Sequence, residues 1–104
     1  MNMIIDRKRY DTNHATKIAS CGNGCPRSDS HFLEESLYRT DHGAWFIHGA
    51  GGAQTAYAAV SADGRHRYYN ETFVPLTEDR AADWLARYHP DLFEEYFCDL
   101  ATDA

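Results

Sequence analysis

At 104 residues the chain has room for one core of ordinary size and none for a second, so residues 1–104 are expected to form a single domain. Ten Lys and Arg against sixteen Asp and Glu leave a formal charge of −6 that is unevenly spread: residues 1–67 carry eight basic and seven acidic side chains, residues 68–104 two and nine. That imbalance disfavours direct binding to a nucleic-acid backbone and suits a partner with a basic groove. No run approaches the roughly 20 apolar residues of a membrane span, and the charged opening MNMIIDRKRY does not fit a signal peptide, so a cytoplasmic location is expected.

Met3, Ile4 and Ile5 read as an opening strand, followed by a tight charged turn at Asp6, Arg7, Lys8 and Arg9. Asp11 or Thr12 then offers an N-cap, and Ala15, Ile18 and Ala19 recur at helical spacing, which predicts a short helix over about residues 12–20. The stretch from Cys21 to Pro26, with Gly22 and Gly24, ends that helix, and a loop runs to Ser30. Residues 31–40 and the run AWFIHG, separated by Asp41, His42 and Gly43, predict a β-hairpin. Large apolar groups on both of its faces place the hairpin in the middle of a sheet covered, at least in part, on each side.

Gly49, Ala50, Gly51 and Gly52 break the strand pattern and read as a bulge or a tight strand exit. A weaker strand is expected around Thr55, Tyr57 and Val60, a turn at Ser61 to Gly64, and a last short strand at Thr72, Phe73 and Val74 that Pro75 stops. Thr77 is a good N-cap with Glu78 and Asp79 in the first turn, and Ala81, Ala82, Trp84, Leu85 and Tyr88 share one helix face. Pro90 opens a second helix whose apolar stripe is Leu92, Phe93, Tyr96, Phe97 and Leu100. The expected fold class is α+β: a small antiparallel sheet of about four strands with a short N-terminal helix and two C-terminal helices.

Three cysteines in a reducing compartment do not make a disulfide framework. Cys21 and Cys25, with His14 and His31 nearby, are the residue types of a zinc site, although C-x-x-x-C is not the usual knuckle spacing. Cys98 reads as a small, partly buried helix residue. His48 followed by Gly49-Ala50-Gly51-Gly52 has the look of an esterase oxyanion loop, but no serine stands in a G-x-S-x-G setting, and a hydrolase would need His48 to meet a carboxylate. Glu34 and Glu35, adjacent on a strand, point to opposite faces and cannot converge on one substrate atom. No catalytic residue, cofactor or metal is therefore expected.

The last helix directs Asp91, Glu94, Glu95 and Asp99 away from its apolar stripe, and Asp99 stands near a helix C-terminus, where the helix dipole disfavours negative charge. Stability alone does not account for that placement. Glu78, Asp79, Asp83, Glu94, Glu95 and Asp99 are the candidate partner-binding residues, with a solvated, solubilising face as the plainer alternative.

Three segments, IIDRKRYDTNHATKIA at residues 4–19, EESLYRTDHGAWFIHGAGGAQTAYA at 34–58 and VPLTEDRAADWL at 74–85, resemble a family of small proteins of bacterial mobile elements and prophages. In general character such proteins resemble anti-CRISPR proteins. That resemblance implies a non-enzymatic inhibitor that binds a nucleic-acid-handling protein, such as a CRISPR effector subunit, through carboxylates placed where the effector expects phosphates. The alternative is a zinc-binding accessory or regulatory protein using Cys21, Cys25 and the neighbouring histidines.

Overall fold

In the computed structural model, which describes residues 1–103, the two runs of the expected central hairpin are strands β4 (Leu33–Thr40) and β5 (Trp45–Gly51). Ahead of them lie β1 (Asn2–Ile5), β2 (Lys8–Asp11) and β3 (Ala15–Gly22); after them come β6 (Ala59–Val60), β7 (Arg67–Tyr68), β8 (Asn70–Leu76), α1 (Glu78–Tyr88) and α2 (Pro90–Phe97). The main sheet is antiparallel with the order β3-β4-β5-β8, so the hairpin does occupy its centre. Two small antiparallel ribbons, β1-β2 and β6-β7, stand beside it.

The side-chain alternation of β5 explains the two cores. Trp45 and Ile47 point to one face, where Leu37, Ala81, Ala82, Leu85 and Phe97 bury against them and the two α-helices form the cover. Phe46 points to the other face and packs with Phe73 and with Tyr10 of the β1-β2 ribbon; Tyr38 stacks on it at 5.2 Å between ring centroids. Phe46, Leu37 and Leu85 are the largest fully buried side chains, which puts the centre of the molecule at β4, β5 and α1.

The expected N-terminal helix is absent, and the reason is a bulge. Residues 12–20 run through a three-residue 3-10 turn (Thr12–His14) into β3, whose register against β4 shifts between Lys17 and Ala19. The extra residue lets Ile18 and Ala19 both pack on the helix-side core while Ala15 packs on the opposite side. A spacing of three and one, which suggests a helical stripe, is here a strand with one residue inserted. The Asp11 cap is real but serves the 3-10 turn, its carboxylate accepting the Asn13 N–H at 2.9 Å. The charged turn is also shorter than expected: Asp6 and Arg7 alone turn the chain, at φ 51° and 67°, and Lys8 to Asp11 already pair with β1.

Pro75 does not stop β8. The strand continues to Leu76, with Pro75 opposite Phe46, and because β8 is an edge strand a missing N–H can be tolerated there. Gly49, Ala50 and Gly51 are not a bulge either, since they keep unbroken register with β4 on one side and β8 on the other. At the start of α1 the Thr77 hydroxyl accepts the Arg80 N–H at 3.2 Å, as expected of an N-cap. Tyr96 and Leu100, expected on the buried stripe of the last helix, are exposed; Phe97 is its buried anchor.

Candidate functional site

The register of the sheet places Cys21 of β3, Glu35 of β4 and Gly49 of β5 side by side in one row on the helix-facing side. A side chain at Gly49 would stand 2.2 Å from the Tyr57 ring, and one at Gly51 would stand 2.0 Å from the Thr55 hydroxyl. The two glycines therefore form a bare groove into which the segment 52–58 is laid. Arg67 fastens that segment by donating to the carbonyls of Ala53 (2.8 Å) and Thr55 (2.9 Å), and the Asn70 amide donates to the Tyr57 carbonyl (3.1 Å).

Seated on Gly49, Tyr57 donates its hydroxyl to Glu35 Oε2, and Trp84 of α1 donates its indole N–H to Glu35 Oε1 at 3.2 Å. Each carboxylate oxygen thus has a neutral donor, and no Lys or Arg lies within ion-pair distance of Glu35 among the described residues. Burial, followed by the hydrogen bond to Glu35, holds the Tyr57 phenol well above the ordinary tyrosine range. Burial and then the Glu35 charge also push the Cys21 thiol up, the opposite of the depressed pKa by which nucleophilic cysteines are activated. A cleft of about 500 Å³ opens above this group, lined by Asn23, His31, Leu33, Glu35, Gln54, Thr55, Ala56, Tyr57 and Tyr88.

Six carboxylates singled out from the sequence, Glu78, Asp79, Asp83, Glu94, Glu95 and Asp99, are all exposed. The only ion pairs among the described residues are His31 with Asp29 and His48 with Glu71, so none of the six is paired to a Lys or Arg. Helical geometry divides them. On α1 the outward residues Asp79 and Asp83 alternate with Arg80 and Arg87, whereas the outward face of α2 carries Asp91, Glu94 and Glu95 with no basic residue. Asp99 follows in the 3-10 turn Cys98–Leu100.

The four residue positions of the zinc alternative are spread. His14 precedes β3 while Cys21 stands near its far end, seven residues or roughly 23 Å of strand away. Among the described residues no three His, Cys, Asp or Glu side chains gather closely enough to hold a metal ion. His48 does meet a carboxylate, its Nε2 lying 2.9 Å from Glu71 Oε1, and the buried Ser36 sits across the ladder from it. Ser36 makes no hydrogen bond to His48, and the strand register commits Gly49 and Gly51 to ladders on both sides, leaving no oxyanion donors in that stretch.

An α+β domain with a four-stranded antiparallel sheet, two C-terminal helices, an acidic helix face and a carboxylate-floored cleft is what the fold and these sites define. No helix of the described residues is long and apolar enough to cross a membrane. No protein-family model, curated protein or solved structure matches the chain.

Proposed function

We propose that the protein is a non-enzymatic inhibitor that docks its acidic C-terminal helix into a basic groove of a nucleic-acid-handling protein, a CRISPR effector being the leading case. The observation that carries this reading is the outward face of α2, where Asp91, Glu94 and Glu95 stand exposed without Lys or Arg between them. Carboxylates in that arrangement imitate a short run of phosphates, and their field draws a basic partner quickly and in a salt-sensitive way. Asp79 and Asp83, interleaved with Arg80 and Arg87, contribute less to that field.

The test is an electrophoretic assay of target-DNA binding by a purified effector complex, with the wild-type chain and the Glu94→Lys/Glu95→Lys variant as competitors. The wild type is expected to block DNA binding with a potency that falls as salt rises, and the variant to lose the block. Equal potency of the two would remove the acidic face from the mechanism.

A further inference from the structure

We propose that the cleft between the 52–58 segment and the C-terminal end of α1 is a receptor for an alkylammonium group, either of a free amine or of a lysine side chain. The inference stands on the cleft alone and is independent of the acidic helix face. Its floor is Glu35, half-buried and held by two neutral donors, the Trp84 indole N–H and the Tyr57 hydroxyl. Hydrogen bonds from neutral groups fix the carboxylate without cancelling its charge, so a full negative charge faces a partly desolvated space.

No Lys or Arg pairs with that carboxylate among the described residues; the cations near the cleft are Arg87, held over the Tyr88 ring at 5.4 Å, and, when protonated, His31 of the lining. No Lys or Arg lines the cleft. Tyr57 and Tyr88 supply aromatic walls, and ring faces attract cations through their quadrupole, as the Arg87 guanidinium 5.4 Å from the centre of the Tyr88 ring already does. Leu33 and Ala56 offer apolar contact for an alkyl stem. A volume of about 500 Å³ accepts a group of this size with its stem, which falls within the range of small-ligand clefts.

The arrangement is also prepared in advance. Gly49 stands in the central strand where a side chain would collide with the Tyr57 ring, and Arg67 and Asn70 pin the segment carrying that ring. A receptor whose walls are already in place loses little entropy on binding. An anion would meet Glu35 directly, and a neutral ligand would leave the carboxylate unused.

The Trp84 indole N–H, bonded to Glu35, is a direct reporter in two-dimensional 1H–15N NMR, and the chain has only one other tryptophan, Trp45. Titration with n-butylammonium chloride is expected to move the Trp84 indole resonance saturably, with a midpoint on the order of millimolar. Sodium chloride at the same ionic strength and the neutral isostere butan-1-ol are expected to leave it in place. Glu35→Gln, which keeps an acceptor for the indole but removes the charge, weakens binding by about tenfold or more. Tyr88→Ala removes a wall that also packs on the Trp84 ring at 5.2 Å, so its titration is read against its own ligand-free spectrum; it provides a second variant and weakens binding while the dispersion of the spectrum stays that of a folded chain.

Nα-acetyllysine amide distinguishes the two sources: binding equal to butylammonium assigns the cleft to a partner's side chain, and binding of butylammonium alone assigns it to a free amine. Butan-1-ol binding as well as butylammonium, an indole resonance indifferent to butylammonium, or full affinity in folded Glu35→Gln would each overturn the proposal.

Discussion

Gly49→Ala is the sharpest test of how the cleft is built. The residue lies in register in a central strand, so the added methyl meets no backbone objection and its cost is one of space. Its Cβ would stand 2.2 Å from two atoms of the Tyr57 ring, and ordinary contact begins at 3.4 Å, so the ring must retreat by about 1.2 Å. Retreat draws the phenol away from Glu35. Overpacking of this kind costs about 1–3 kcal/mol, and loss of a hydrogen bond to a carboxylate adds about 1.5 kcal/mol or more. The better strand propensity of alanine returns roughly 0.5–1 kcal/mol, leaving an expected net loss of about 1.5–4 kcal/mol.

Urea denaturation followed by far-ultraviolet circular dichroism measures the loss, and a double-mutant cycle with Tyr57→Ala assigns it. With the ring gone, Gly49→Ala should cost nothing or should stabilise. An equal penalty in both backgrounds would refute the idea that Gly49 exists to seat Tyr57.

Two further outcomes follow from local geometry. The Tyr57 phenol titrates above its ordinary value of 10.0 in the fold, so the stability it contributes is complete below about pH 10 and is lost as the pH climbs toward the folded value; urea midpoints between about pH 8 and 11 should fall less steeply in Tyr57→Phe than in the wild type. A slope unchanged by the substitution would contradict the buried, carboxylate-bonded phenol. Arg7→Gly should raise stability by about 0.5–1 kcal/mol, because Asp6 and Arg7 make the β1-β2 turn with positive φ that Asp-Gly adopts freely. A lowered thermal midpoint in that variant would count against the turn geometry.

The parts legible in the sequence are those in which several local signals agree. Residues 33–51 combine two long apolar runs with a turn between them, and residues 77–88 combine a cap, first-turn acids and one apolar face; both segments fold as expected. β3 imitates a helix in sequence because a bulge puts Ile18 and Ala19 on the same side, and β2 carries little signal because only Tyr10 of its four residues is buried. The exposed acidic positions followed directly from helical periodicity. The cleft did not, since Glu35, Tyr57 and Trp84 are far apart along the chain and meet only through sheet register and helix docking. One signal was available: Gly49 and Gly51, two apart in an apolar strand, strip one face of its side chains, and a stripped face inside a fold must be filled by some other segment.

The margins of the main sheet bear on how any partner is met. At one margin Pro75 offers no amide hydrogen, and at the other the bulge near Ile18 distorts the main chain while the Ser20 carbonyl is taken by the His89 ring at 2.8 Å. Neither border presents an uninterrupted rail of free main-chain groups, so lengthening the sheet with a foreign strand is discouraged from both directions. Along these two borders any contact with a partner would fall to side chains rather than to the main chain.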